Sequence, residues 1–368
     1  MSRRTFVVSA AGAALATTFP GAGGAAPAAP ALTARSVPPA LGAEFHGMGK
    51  GYWQDGRPRP AFHRHLDTLR AYGVGVVRVE VAWSRSERGR GGPDPGHPYH
   101  QRLQALLDAV AGRRMKALVT LHGSPAWARA GATLQDPAAR FPDDPGAVTP
   151  WAAWLAATYG DRVHAWEVWH EPNVPDTTGV TDPAERTARY VALLGACARG
   201  LRSARPSSVV VLGGPRHTDH RFVRDVYAAG ARDHFDVLAL RPGLGPGPEE
   251  EPAALGPGNF PAVAEVMRAY RDGGKPVWWT GFAPLAGDSA APPAQPVVRA
   301  FDLARARHPQ IRLGVLPTAH RPVLPHLAAL RTYFAGYGGQ RAALRGRPGF
   351  AQSRAQVVSA AGRSPVSR

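Results

Sequence analysis

Short apolar segments alternate with longer amphipathic segments from about residue 40 onward, and this alternation restricts the fold more than any other feature of the chain. The apolar segments have the length of strands, and the segments between them repeat with the period of a helix. Eight strand-plus-helix units follow one another in this way. They predict a single α/β domain in which parallel strands close into a (β/α)8 barrel, the TIM barrel. An open doubly wound sheet is the alternative, but no G-x-G-x-x-G motif follows the first strand.

The predicted barrel covers residues 40–337, and both ends of the 368-residue chain are predicted to lie outside it. Residues 1–32 contain SRRTF, a short apolar run and then small residues, which is typical of a twin-arginine export signal. We therefore expect a secreted protein, with an ordinary basic disordered N-terminus as the alternative. Residues 338–368 lack a sustained apolar face and are predicted to be disordered. No later segment reaches the roughly 20 apolar residues of a membrane span.

The net charge of +17 raises the question of a nucleic-acid partner. Only three of the 44 basic residues are lysine, and the arginines are scattered over the predicted helices. Because no basic run is interleaved with aromatic residues, we expect a solvated basic surface and no nucleic-acid partner. The single cysteine, Cys197, can form no internal disulfide, and its position among Ala and Leu in a helix is typical of a core residue. A monomer without a cofactor is expected.

Polar and aromatic residues gather at the carboxyl ends of the predicted strands, where barrel enzymes place their active sites. The fourth strand is the most informative, because Pro172 ends it directly after Glu171. Indole rings stack on the C–H faces of sugars, so tryptophans at this mouth predict a carbohydrate ligand. The other residues predicted to bind it are His46, Arg78, Trp83, His122, Trp127, Trp169, His170, Arg241 and Trp279.

Histidines occur near several of the predicted strand ends, which raises the question of a metal site. His46, His122, His170 and His217 belong to separate strand ends, and no H-x-H or H-x-x-x-H spacing joins them. Hydrogen bonding to a sugar is the more common use of such residues, so no metal is predicted.

Several segments, in the same order along the chain, resemble motifs of the clan A glycoside hydrolases, among them families 5 and 39. The segment WEVWHEPN resembles their fourth-strand signature W-E-x-W-N-E-P-N. Their second strand, third-strand loop, sixth strand and seventh strand are matched by GVGVVRVEVAWS, GSPAWA, FDVLALRP and KPVWWTGFA. The resemblance runs from residue 40 to about residue 335. It implies a barrel that acts on O-glycosidic bonds, with Glu171 as the acid/base.

Three positions depart from the pattern of that clan, and all three belong to the expected active site. The seventh-strand nucleophile, normally a Glu, is Gly281; a small anion such as azide is expected to enter the space left by the missing side chain. The Asn before the acid/base is His170, and the sixth-strand His is Arg241. Retaining glycosidases need two carboxylates, so the departures predict a changed or abolished reaction. Two hypotheses remain open, an altered glycosidase and a catalytically inactive carbohydrate-binding protein.

Two other carboxylates are candidates for the role that Gly281 cannot fill. Glu80 shares a strand face with Arg78, because the two residues are two positions apart, and Asp288 follows the seventh strand. Either is a candidate base for an inverting reaction with Glu171 as the acid, since inverting pairs stand roughly 6.5–9.5 Å apart. Glu167 is predicted instead to be a buried, structural partner of Arg78.

Overall fold

A closed barrel of eight parallel strands forms the centre of the protein in a computed structural model. The structure describes residues 38–132, 138–244, 256–282, 294–317 and 324–336. The predictions for the export signal, the C-terminal tail and Asp288 therefore lie outside the described residues. The barrel strands are β1 (Ala40–Glu44), β2 (Val76–Ala82), β3 (Lys116–His122), β4 (Val163–Val168), β5 (Val210–Leu212), β6 (Val237–Leu240), β7 (Val277–Trp279) and β8 (Ile311–Leu316).

Each strand pairs with its neighbours in the chain, and β8 pairs in parallel with β1 to close the barrel. The predicted (β/α)8 architecture is confirmed. A helix follows every strand on the outside of the barrel. These helices are α1 (Pro60–Ala71), α2 (Pro98–Gly112), α3 (Thr149–Tyr159), α4 (Pro183–Ala204), α5 (His220–Ala228), α6 (Phe260–Ala269), α7 (Ala294–Arg307) and α8 (Leu324–Ala335). A two-stranded ribbon, Trp53–Gln54 with Arg57–Pro58, lies between β1 and α1.

Local sequence explains where the longest helix begins. Pro183 occupies the first turn of α4, and the side chain of Asp182 accepts a hydrogen bond from the backbone N–H of Glu185 at 2.7 Å. A proline there loses no helical hydrogen bond, and the aspartate satisfies an N–H that the helix leaves unpaired. Cys197 is buried in the middle of this helix, as predicted. No helix among the described residues is long and apolar enough to cross a membrane.

Side chains of the strands alternate between the barrel interior and the layer of helices. In β4, Ala165 belongs to the interior cluster, whereas Trp166 and Val168 pack in the outer core. The interior cluster is made of small apolar residues and one indole: Ala40, Val76, Leu118, Ala165, Val209, Val211, Val237, Ala239, Trp278, Leu313 and Val315. Glu167, which is fully buried, follows Ala165 on the same face of β4. The polar side chains of the barrel interior therefore lie nearer its carboxyl-terminal mouth than this apolar cluster does.

The strand register brings the first charged residues of the mouth together. Glu44, the last residue of β1, is the register partner of Arg78 in β2. Across the next two ladders, Glu80 is level with Thr120, and Thr120 is level with Glu167. These neighbouring strands therefore hold their carboxylates around the single guanidinium of Arg78.

Candidate functional site

Glu171 lies beyond the end of β4, in a turn with an unusual backbone. Trp169 and Glu171 have φ angles of 74° and 47°, in the left-handed region that side chains rarely adopt. The turn is fixed by backbone hydrogen bonds from Trp169 to Leu121 and from Glu171 to Gly214. A side chain at Gly213 would lie 2.2 Å from the Val168 carbonyl oxygen, so this close approach requires glycine. The result is a buried Glu171 directed into the mouth.

Both carboxylate oxygens of Glu171 accept hydrogen bonds from arginine. Arg216 donates from Nε to Oε2 at 2.8 Å, and its Nη2 also lies 2.8 Å from that oxygen. Arg241 donates from Nε to Oε1 at 3.2 Å. Charge-assisted pairs of this kind are shorter and stronger than neutral hydrogen bonds, and here they engage both oxygens of the carboxylate. The structure brings the predicted residues Glu171 and Arg241 together and adds Arg216, which sequence analysis missed.

The position of Arg216 is fixed by Asn173, the last residue of the fourth-strand motif. The side chain of Asn173 accepts from the backbone N–H of Arg216 at 2.8 Å and donates to its carbonyl oxygen at 3.1 Å. It also donates to Asp219 at 2.9 Å. Asn173 therefore joins the turn after β4 to the loop after β5 and sets the position of the guanidinium that holds Glu171.

Gly281 makes room for Arg241. A Cβ atom added at Gly281 would lie 2.4 Å from Nη1, 2.6 Å from Cζ and 2.8 Å from Nη2 of the Arg241 guanidinium. Arg241 Nη1 also donates to the Thr280 carbonyl oxygen at 3.3 Å and to Glu44 Oε1 at 3.4 Å. The expectation that a small anion enters an empty space beside Gly281 is wrong, because a guanidinium fills that space.

Arg78 is the second charged centre of the mouth. Its Nε donates to Glu167 at 2.8 Å, and its Nη1 donates to Glu44 and Glu80, both at 3.2 Å. Burial alone would lower the pKa of Arg78, but the charges of these three carboxylates raise it above its ordinary value. Glu167 also accepts from the Thr120 hydroxyl at 2.6 Å. The predicted structural pairing of Arg78 with Glu167 is confirmed.

Glu44 links the two charged centres and was not among the predicted residues. Its Oε1 accepts from both Arg78 and Arg241, and its Oε2 lies 3.9 Å from Nε2 of His46. A sequence signal existed, because Glu44 precedes the predicted residue His46 by two positions and so shares its strand face. The prediction was incomplete because β1 ends at Glu44, and His46 lies beyond it.

Glu80 is the carboxylate that reaches farther into the open mouth, with a side chain that is 31% exposed. Its oxygens lie 3.5 Å from Nδ1 of His170 and 3.9 Å from Nε2 of His122. Burial would raise the pKa of Glu80, but the charge of Arg78, with smaller contributions from the histidines and Arg241, lowers it well below the usual range. Glu80 is therefore ionised throughout the neutral pH range.

His170 is a neutral imidazole. Burial, then Arg241 and Arg78, lower its pKa well below the ordinary value. Its Nδ1 lies 3.4 Å from Arg78 Nη2 and 3.5 Å from Glu80 Oε1. Its Nε2 lies 3.9 Å from Glu171 Oε1. Burial also lowers the pKa of His122, so two neutral imidazoles stand beside Glu80.

Three of the four predicted sugar-binding indoles are buried, so the prediction is wrong for them. Trp83 begins a short helix, Trp83–Ser86, that turns its ring against Trp151; the centroids are 5.7 Å apart. Trp169 packs on Phe141 because the left-handed turn breaks the strand alternation.

The third buried indole belongs to β7. Trp278 faces the barrel interior, so its neighbour Trp279 faces the helices and is 0% exposed. Trp127 remains half-buried, with its ring edge-on to Trp83 and the guanidinium of Arg90 5.1 Å from its centroid. Of the four predicted indoles, Trp127 alone offers part of its ring surface to a ligand.

In the described part of the chain, no group of three or more His, Cys, Asp or Glu side chains is arranged to hold a metal ion. The charged groups of the mouth instead form ion pairs with one another, centred on Arg78 and Arg241. The chemistry open to a ligand there is hydrogen bonding to one ionised carboxylate and to neutral imidazoles, beside a partly exposed indole.

Solved structures with a similar fold are glycoside hydrolases. A family 39 glycoside hydrolase from Bacteroides cellulosilyticus WH2 has a TM-score of 0.56 at 18% identity over 76% of this chain and 56% of its own. An exo-β-1,4-mannosidase from Opitutaceae bacterium strain TAV5 has a TM-score of 0.57 at 18% identity, over 83% and 60%. A family 5 enzyme from Prevotella bryantii B14 has a TM-score of 0.54 at 11% identity, over 80% and 95%.

These likenesses establish the fold, the eight-stranded parallel barrel of family 39 and family 5 glycoside hydrolases. The chain spans 56% and 60% of the length of the first two structures. No protein-family model matches the sequence, and no curated protein matches it either. What the mouth does has to be inferred from its own residues.

Proposed function

We propose that this protein is exported, binds a carbohydrate at the carboxyl-terminal mouth of its barrel, and does not hydrolyse it by the retaining two-glutamate reaction. The likeness to glycoside hydrolases supports a sugar as the ligand. The observation that carries the proposal is the Arg241 guanidinium lying against Gly281, at the position that the resemblance assigns to the nucleophile. A guanidinium cannot attack an anomeric carbon.

The state of Glu171 supports the same conclusion. The retaining reaction needs a carboxylic acid that protonates the leaving group and a second carboxylate roughly 5–5.5 Å away. Glu171 accepts hydrogen bonds from Arg216 and Arg241 on both oxygens, so a leaving group would have to displace a guanidinium to reach it. Both halves of the reaction are therefore compromised, one by substitution and the other by ion pairing.

Accessible groups at the mouth suit the hydroxyl groups of a sugar. Glu80 supplies an ionised acceptor, and His122 and His170 each supply one N–H donor and one nitrogen acceptor. Their side chains are about one-third exposed, as is that of His46. Trp127, in the loop after β3, supplies a partly exposed indole. This combination of a few polar groups and one indole is typical of sugar recognition.

Calorimetric titration with β-1,4-linked manno-, xylo- and gluco-oligosaccharides tests the proposal; the mannosidase neighbour suggests the first of these. We expect saturable binding of at least one series. Glu80→Gln and His122→Ala should each weaken it about tenfold, the loss of one or two polar contacts. Glu185→Gln, on the exposed face of α4, is the matched control and should bind like the native protein. Equal binding by all four proteins would refute the proposed site.

Inverting hydrolysis, with Glu80 as the base and Glu171 as the acid, is the second candidate. The specific observation is that Glu80 is ionised, exposed, and separated from Glu171 by the width of the His170 ring. This is compatible with the roughly 6.5–9.5 Å between the carboxylates of inverting enzymes. Turnover by the native protein with inverted products, abolished in Glu80→Gln, would establish this alternative. If Glu80→Gln still turned over the sugar, Asp288 would be the next base to test.

A further inference from the structure

A cavity lies at the opposite end of the barrel from Glu171. Its volume is about 450 Å³, within the range of roughly 300–1,000 Å³ that small-molecule sites occupy. It is lined by the first residues of β3 and β4 and by the segments that lead into β3, β4 and β5. Because the strands are parallel, these residues lie at the amino-terminal end of the barrel, and the mouth proposed to bind carbohydrate makes no use of them.

Basic side chains outnumber acidic ones in this cavity. Its lining contains Lys116, Arg162 and Arg205 but only one carboxylate, Asp161. Arg162 is itself paired with Asp108, outside the lining, at 2.6 Å. Arg205 forms an ion pair with Asp161, whose side chain is 80% exposed. Exposed pairs of this kind contribute little stability, so the arginine can exchange its partner for a ligand.

Lys116 and His164 both line the cavity. Burial first, and then the charge of Lys116, lower the pKa of His164 to about 3. His164 is therefore neutral at physiological pH and adds no further positive charge, but it offers one donor and one acceptor. Lys116 is itself only partly exposed, so its charge is less screened than that of a surface lysine.

One wall of the cavity is apolar. The half-buried Val163 and the exposed Ala111 contribute to it, together with Val209. A ligand that used the whole cavity would therefore need an apolar body as well as a negative group. An inorganic anion would satisfy only the basic side.

We propose that this cavity binds a small organic anion, with a carboxylate or phosphate group beside Lys116 and an apolar body against Val163 and Ala111. Carboxylates and phosphate esters share the chemistry that a lysine and two arginines recognise. The site is separate from the mouth and does not depend on whether the mouth binds or cleaves a sugar.

Calorimetric titration of the full-length protein at low salt tests this proposal, with benzoate, phenyl phosphate, inorganic phosphate and benzyl alcohol as probes. We expect one saturable site for benzoate or phenyl phosphate, and the tighter of the two identifies the preferred head group. Inorganic phosphate and neutral benzyl alcohol should bind at least tenfold more weakly. Lys116→Met, which keeps the length of the side chain and removes its charge, should weaken binding of the organic anion at least tenfold. Glu80→Gln at the mouth should leave it unchanged.

Nuclear magnetic resonance on the native protein provides a readout that needs no variant. Titration with the organic anion should shift the imidazole signals of His164 and leave those of His122 unchanged. Three results would each overturn the proposal: no saturable binding of either organic anion, equal binding by Lys116→Met, or shifts confined to the mouth histidines. Binding of inorganic phosphate as tight as that of phenyl phosphate would contradict the role of the apolar wall.

Discussion

At the scale of single residues, Gly281 and Arg241 depend on each other. The guanidinium lies where a side chain at position 281 would begin, and it binds two carboxylates, Glu171 and Glu44, from that position. The sequence shows both substitutions separately, but not that one fills the space of the other. That coupling required the structure, because strand patterns do not predict the direction of a long side chain beyond the end of a strand.

A double-mutant cycle measures this coupling. Gly281→Ala should lower the free energy of unfolding by about 1–3 kcal/mol, because the new methyl group displaces Arg241 from its carboxylates. In the background of Arg241→Leu the same change should cost less than about 0.5 kcal/mol. Urea denaturation provides the measurement. Equal costs in the two backgrounds would show that the guanidinium does not occupy this space.

At the scale of elements, the sequence predicts side-chain directions well inside strands and poorly beyond them. The pairing of Arg78 with Glu167 followed from alternation along β2 and β4, and the structure confirms it. Trp279 was wrongly predicted to bind a sugar. β7 ends at Trp279, so the alternation of side chains along the strand does not continue to Gly281. The role of Arg216 could not be predicted from the sequence, because this residue follows two glycines and a proline beyond β5.

The hydrogen bonds of Asn173, which join the turn after β4 to the loop after β5, give a prediction at this scale. Asn173→Ala removes three hydrogen bonds between the two connections and should lower the free energy of unfolding by about 1–3 kcal/mol. Gln104→Ala removes an exposed hydrogen bond to Asp108 on α2 and is the control, with a change below about 0.5 kcal/mol. Urea denaturation compares the two. A change for Asn173→Ala as small as for the control would contradict the assigned role.

At the scale of the whole molecule, the fold was predictable from periodicity and motif order, whereas the site was predictable only in part. Eight repeated units leave few ways to bury their apolar faces, and the closed barrel satisfies all of them. The ion-pair network depends on register between strands that are distant in sequence, such as Glu44 with Arg241. Such contacts leave no local pattern in one sequence.

Acid should destabilise the protein as a whole. Burial lowers the pKa of His164 to about 3 and, with the charge of Arg307, that of His308 to about 4. Below the unfolded-state pKa of about 6.5, the unfolded chain binds protons that these histidines do not bind in the folded state. Stability should therefore fall from about pH 6.5 to pH 4, by about 1.4 kcal/mol per pH unit for each such histidine. Glu80, whose pKa is lowered, adds a loss below about pH 4.3.

Urea denaturation at several pH values checks this prediction. His164→Gln should reduce the slope of stability against pH by about one proton. Gln101→Ala, on the exposed face of α2, removes no titratable group and should leave the slope unchanged. Stability that rose on acidification from pH 6.5 to 4 would contradict the prediction.

The export proposal also concerns the whole molecule. A twin-arginine signal depends on its arginine pair, so changing Arg3 and Arg4 to lysine should retain the precursor in the cytoplasm. Fractionation of cells that express the native and variant chains gives the measurement. Changing Arg35 to lysine, outside the motif, is the control. Unaltered secretion of the double variant would refute twin-arginine export.

One experiment tests whether the protein binds a sugar but does not hydrolyse it with retention of configuration. The protein is incubated with an oligosaccharide that it binds, and proton nuclear magnetic resonance follows the anomeric signals of the sugar and the imidazole signals of the protein over time. We expect the signals of His122 and His170 to shift while no new anomeric signal with retained configuration appears. Early release of a product of retained configuration, lost in Glu171→Gln, would contradict the proposed function.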